Sequence, residues 1–287
     1  MTGEAQRRIW LVADDYGISP AVSAAIRDLI ARGRLSATSV MTSTPSFSPS
    51  EATALLDVAG ARAAIGLHVT LTGPFKPLTS GFAPLRGGAF LPLAGMAGRA
   101  LAYLQNSALL EAEILSQFVA FQRAFGRTPD YVDGHQHIHV FPQIGEALLR
   151  AVNQAAPQAW VRQCGRAAAA PKSLSDPKGY ILDALSRRFR RLAERQGVRT
   201  NPAFAGTYSF QPGAVFEKLF PSFLDGLPDG GLIMCHPGKV DDELRRLDPL
   251  TTLRECEYAF FLGQQFPQLL AERGYALYCR SPDGASP

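Results

Sequence analysis

Short, continuously apolar runs alternate with stretches of helical spacing about seven times along this chain, and that alternation limits its fold more than any other feature. Ile9 to Ala13 is such a run, and Ala37 to Met41, Ala63 to Leu67, Ala159 to Arg162, Gly231 to Cys235 and Tyr275 to Cys279 read as further strands, with another from Tyr131. Runs of this length without polar alternation suit strands covered on both faces, as in a parallel sheet. The first intervening helix is well signalled: Ser19 offers an N-cap oxygen, Pro20 fits the first turn, Val22, Ile26, Leu29 and Ile30 share a face, and Gly33 ends it. Further helices are expected over Glu51 to Val58, Ser107 to Phe125, Gln143 to Ala155, Pro177 to Gln196, Gly213 to Asp225 and Thr252 to Arg273. Gly73 to Gly98, rich in Gly and Pro, is expected to be a long loop covering a site, Thr200 to Phe210 a loop leading into a short extended piece, and Asp241 to Asp248 a charged loop. The segment Ser281 to Pro287 is expected to fray. No repeat or linker divides the 287 residues, so a single domain over residues 1–287 is expected.

Only five histidines occur, and His135, His137 and His139 stand together before Pro142. His68 and His236 each end an apolar run, as does the pair Asp14 and Asp15. Three histidines at alternate positions could be one face of a strand. Taken with the other strand ends, they point instead to an assembled site. Asp14-Asp15, His68, His135 and His236 follow four different strands at their carboxyl ends. A closed barrel gathers such tips at one mouth, whereas an open doubly wound sheet gathers ligands at a single crevice. The expected fold is therefore an α/β, (β/α) barrel, seven-stranded or irregular.

Composition narrows the partners. A formal charge of +4 and a hydrophobic share of 46% describe a globular protein with no aromatic-basic motif for nucleic acid. The start lacks a secretory apolar core, and no uninterrupted run is long enough to span a bilayer. Cys164, Cys235, Cys256 and Cys279 are scattered without a Cys-x-x-Cys pair, so they are read as reduced, mostly buried thiols of a cytoplasmic protein. Cys235, although beside His236, is read as a packing residue. Arg187, Arg188, Arg190, Arg191 and Arg195 lie opposite an apolar stripe on their helix. Such a face is normally solvated, and its alternative use is peripheral approach to anionic lipid. Oligomeric state has no signature here.

Adjacent carboxylates at the end of an extended strand should point to opposite sides, so Asp14 and Asp15 are expected to do different work. One can hold a metal while the other acts as a base. An Asp with two His from separate strands suits one catalytic divalent ion; ligand chemistry ranks zinc first, since magnesium prefers more oxygen. Such an ion would activate water and polarise a carbonyl, and His236 is a candidate acid for a departing amine, its alternative being to cap the Pro237-Gly238 turn. A metal-dependent phosphoesterase or a non-catalytic sugar-binding barrel are the rival functions.

Four segments, Ala13-Asp14-Asp15-Tyr16-Gly17, Gly66-Leu67-His68, Asp133 to Gln143 and His236-Pro237-Gly238, resemble in order and separation the YdjC-like carbohydrate deacetylases, a family that includes chitooligosaccharide and hopanoid-associated sugar deacetylases. The resemblance extends from Ile9 to about Cys279 and implies a barrel related to NodB-type polysaccharide deacetylases, acting on a small-molecule or glycan substrate that bears an N-acetyl amino sugar. By position it implies Asp15, His68 and His135 as metal ligands, Asp14 as base and His236 as acid. It favours magnesium where the ligand argument favours zinc. Tyr16 stands where Phe is usual, and Gly134 where Ser is common. His137 and His139 receive no ligand role and could bind sugar or orient His135, while Arg162 at the next strand tip could clamp Asp14. Asp133 points toward the chitooligosaccharide branch, the basic helix toward a lipid-linked substrate.

Overall fold

The computed structural model describes residues 6–169, 177–210 and 213–278. The expected frayed tail and Cys279 lie outside them. Strands β1 (Arg7–Tyr16), β2 (Ala37–Val40), β3 (Ala64–Val69), β6 (Tyr131–Gly134), β7 (Trp160–Val161), β8 (Phe204–Ala205) and β9 (Leu232–Cys235) form a parallel sheet in the order β7-β6-β3-β2-β1-β9-β8. A small antiparallel hairpin, β4 (Leu85–Arg86) and β5 (Ala89–Phe90), lies apart from it, and β10 (Tyr275–Leu277) pairs only with the start of β1. The ends of the curled sheet meet irregularly. A single parallel bridge joins Val161 to Thr200, and the Asn201 amide accepts from Gln163 N–H and donates to Gln163 C=O. The result is a (β/α) barrel of seven strands with one irregular seam.

Every residue of β2, β3, β6, β7 and β9 is buried, as expected of parallel strands covered on both faces. At the amino-terminal end Tyr131 stacks on Trp160 with ring centroids 4.6 Å apart, and Trp10 stacks on Tyr278 at 4.7 Å. Gly66 exists for this packing. A Cβ there would lie 2.5 Å from the Tyr131 ring.

The first helix, Pro20–Ala31, is capped as its sequence predicts, by Ser19 accepting from Val22 N–H. Four expectations need correction. The segment from Gly73 to Gly98 is not an irregular loop: it carries the β4–β5 hairpin, turning at Gly87 and Gly88 with φ of 59° and 78°, and the start of a helix over Leu93–Leu101. Buried Glu113 fixes it, accepting from Leu78 N–H, Thr79 N–H and the Thr79 hydroxyl. Asp241 to Asp248 contains a helix, Asp242–Leu247, because Asp241 caps it through Leu244 N–H. The long final helix is two, Thr252–Leu262 and Gln265–Glu272, interrupted where Gly263 takes an extended φ of −63° and ψ of 152°. Finally, the helix expected from Gly213 to Asp225 is confined to Phe216–Phe223. Among the described residues, no helix is long and apolar enough to cross a membrane.

Candidate active site

The carboxyl ends of the strands converge on one buried polar cluster. β1 supplies Asp14 and Asp15 through a bulge: its register advances from Ala13 to Tyr16 while β2 advances from Thr38 to Val40. Asp15 sits in the bulge with a left-handed φ of 68°. That irregularity overturns the expectation that the two carboxylates face apart, because period-two alternation fails where one extra residue is inserted. Both side chains enter the barrel mouth, and both approach His68. Short polar side chains tolerate this backbone better than most, and such strain concentrates at functional positions.

Asp15 Oδ1 lies 3.2 Å from His68 Nε2 and 2.9 Å from His135 Nδ1. Its other oxygen, Oδ2, accepts from the buried Arg254 guanidinium at 2.6 Å. One oxygen is thereby left to face the two imidazoles. His68 is oriented from behind: its Nδ1 donates to Asp133 Oδ1 at 2.6 Å, leaving Nε2 turned to Asp15. The three donor atoms of Asp15, His68 and His135 lie within 4.8 Å of one another. One carboxylate oxygen and two imidazole nitrogens, with a carboxylate behind one of the imidazoles, fit a divalent ion that keeps open positions for water and substrate.

Asp14 stands beside this set with a partner of its own. Arg162 donates to Oδ2 at 2.7 Å and to Oδ1 at 2.6 Å, a two-pronged clamp of the kind its strand-tip position suggested. The same guanidinium reaches Asp133 Oδ2 at 2.5 Å, so Arg162 and Asp133 tie the clamped carboxylate to the back of His68. Ser39 completes the group, its hydroxyl 3.3 Å from Asp14 Oδ1 and 3.1 Å from His68 Nδ1.

These contacts set the charges. Burial opposes ionisation of Asp14, but Arg162 outweighs it and holds the carboxyl well below the usual range. For Asp15, burial is likewise overcome by Arg254 and His135. Burial also opposes a charged His68, yet Asp133 and Asp14 raise it to about 10 with no ion bound. His236, half-buried at the tip of β9, is held below its ordinary value mainly by desolvation, which makes its protonated form a ready donor.

The histidine stretch is not one face of a strand. β6 stops at Gly134, and His135–Val140 form a kinked 3-10 turn in which Gln136 and His137 both have positive φ, 55° and 56°. The kink sends the three rings to different places. His135 meets Asp15, with Phe75 edge-on to it at 5.4 Å, so the segment after β3 does touch the site. His139 donates to the Arg162 carbonyl at 2.9 Å; burial lowers its pKa to about 4, so it supports the clamp as a neutral ring. His137 faces Cys164, 3.5 Å from its sulfur, and lies edge-on to Phe204. Gly134 makes room for His139, whose Cβ and Nδ1 would each lie 3.0 Å from an added Cβ.

Asp133, Arg254, Ser39 and Glu257 are the buried polar residues that motif reading passed over as site residues. Asp133 has a usable signal, a carboxylate within a short buried strand, whereas Ser39 stands beside another buried polar residue, Thr38. Arg254 and Glu257, on a helix distant in sequence, had none.

With buried acids and histidines at the carboxyl tips of its parallel strands, the molecule is an α/β barrel that gathers its polar residues at the edge where such barrels build their sites. Residues 8–272 match the model of the YdjC-like protein family, and the chain belongs to that family. A chitooligosaccharide deacetylase of Escherichia fergusonii is 27% identical over 284 residues, covering 95% of this chain and 97% of that protein. In three dimensions, a protein of Enterococcus faecalis V583 described as a candidate cellobiose-phosphate cleavage protein has a TM-score of 0.73 at 22% identity, over 96% of this chain and 98% of its own. A peptidoglycan N-acetylglucosamine deacetylase shares the fold with a TM-score of 0.51 at 10% identity, over 94% of this chain and 85% of that one.

Proposed function

We propose that this protein is a metal-dependent carbohydrate deacetylase that hydrolyses the N-acetyl group of an amino sugar, releasing acetate and a free amine. The observation that carries the reading is the separation of two carboxylates on one bulge: Asp15 faces two imidazoles, while Asp14 is clamped by Arg162 outside that set. The E. fergusonii relative, named for deacetylation of chitooligosaccharides, supports the same chemistry.

Asp15, His68 and His135 would hold one divalent ion, zinc or magnesium. When bound, such an ion polarises the acetyl carbonyl and lowers the pKa of water. Asp14, kept ionised by Arg162, takes the proton of the attacking water as its oxygen bonds to the carbonyl carbon. The carbon–nitrogen bond then breaks, and His236 gives the leaving nitrogen its proton. Arg162 holds Asp14 in place through two bonds, and Asp133 fixes the tautomer of His68.

Acetate release from N-acetylglucosamine oligomers tests this directly. Asp14→Asn should lose at least about 100-fold in kcat while retaining near wild-type metal content. Chelation should abolish the activity of the wild type, and restoration by zinc or magnesium alone identifies the ion. Wild-type turnover by the Asp14 variant would remove that residue from the reaction.

A further inference from the structure

Glu257 is fully buried on the helix Thr252–Leu262, and it spends both oxygens near His236. Its Oε2 accepts the backbone N–H of His236 at 2.5 Å, and its Oε1 accepts the hydroxyl of Tyr208 at 2.7 Å. Tyr208 lies against Phe210 with ring centroids 4.3 Å apart, and Phe210 meets the His236 imidazole edge-on at 5.5 Å. Glu257, Tyr208 and Phe210 thus close a circuit with His236.

The need for an acceptor follows from the strand. β9 pairs with β1 only as far as Cys235 opposite Ala13, so His236 N–H is the first donor past the ladder. A buried N–H without a partner is costly, and a carboxylate is a strong acceptor for it. Burying a carboxylate costs more than burying an apolar side chain of like size, so packing alone does not account for Glu257. Meanwhile the imidazole Nδ1 of His236 is buried and has no hydrogen-bond partner among the described residues. Its ring is therefore held through its backbone and through Phe210, not by a carboxylate on the ring nitrogen.

We propose that Glu257 is a positioning residue for His236, acting on its main chain, with Tyr208 fixing the carboxylate in turn. This rests on the reading of His236 as the proton donor. A misdirected donor slows bond breaking without changing how substrate binds, so the effect belongs in kcat and not in KM.

Acetate release from N-acetylglucosamine oligomers, measured across pH, separates this role from a purely structural one. Glu257→Leu should lower kcat about 100-fold with KM within about threefold, and should erase the alkaline limb that His236 sets. Glu257→Gln should restore kcat to within about fivefold, because its amide oxygen can accept from His236 N–H and its NH2 can donate to the Tyr208 oxygen. If the leucine variant fails to fold, Tyr208→Phe takes its place: removing one hydroxyl should reduce kcat several-fold at constant KM. Equal losses in the glutamine and leucine variants, an unchanged kcat in Tyr208→Phe, or a lower kcat with the alkaline limb intact would each overturn the assignment. A wild type that releases no acetate would instead overturn the proposed function, and this inference with it.

Discussion

Replacing Arg162 with Met should do more damage than removing any single surface charge, and the structure says why. The guanidinium is fully buried, makes two bonds of 2.7 and 2.6 Å to Asp14, and stands 2.5 Å from Asp133. Methionine keeps much of the volume and leaves two buried carboxylates without their cation. Breaking one side of a buried ion pair costs about 3–5 kcal/mol. The sign with pH follows from Asp14. In the wild type its pKa is depressed, so the pair contributes stability above the unfolded value of 3.8 and loses it as pH falls through the folded pKa. In the variant burial acts on Asp14 with only the weaker attraction of His68 and His236 against it, and its pKa should rise. The variant should therefore be most destabilised near neutral pH and should recover as the solution is acidified. Urea denaturation of both proteins from about pH 5 to 8, with the metal chelated throughout, gives the difference directly. The acid limb of kcat/KM should move upward in parallel, since the base would titrate later. A stability difference below about 1 kcal/mol at neutral pH, with an unmoved acid limb, would refute the clamp.

Three further outcomes are expected. Asp133→Asn should weaken metal binding about 10- to 100-fold by calorimetry, since it leaves His68 Nδ1 with a poorer acceptor; unchanged affinity would deny it a role behind the ligand. Glu257 gives a pH signature: burial raises its carboxyl from 4.5 to about 7, so wild-type stability should fall by up to about 3 kcal/mol as pH rises through that window. In Glu257→Gln that slope should disappear from the denaturation curves, and its persistence would place the titrating group elsewhere. Gly66→Ala should destabilise by about 1–3 kcal/mol, because the added methyl would meet the buried Tyr131 ring at 2.5 Å. A melting temperature equal to wild type would show that the ring can move aside.

Much of the fold and part of the site could be read from local pattern. β1, β3 and β9 each carry a short apolar run because both their faces are covered, and a run of that kind declares itself in a few residues. The hairpin at Gly87–Gly88 leaves no local signature because its strands are only two residues each, too short for any period. The break at Gly263 was hidden because Phe266 and Leu270 continue an apolar pattern past it. Asp14, Asp15, His68, His135 and His236 were legible as candidates, since polar residues that close apolar strands in a parallel barrel must face its mouth.

Local pattern alone thus determined the strand ends and the residue types placed on them. Their partners were decided only in three dimensions. The bulge that turns Asp14 and Asp15 into one cavity depends on how β1 registers with β2, and the kink that separates His135 from His137 and His139 depends on two left-handed residues. Arg162, Asp133, Arg254 and Glu257 gain their meaning from partners distant along the chain, 239 residues away in the case of Arg254 and Asp15. A hydrogen bond or an ion pair acts over a few ångströms of space, whatever the distance along the chain, and only closure of the barrel brings such groups within reach.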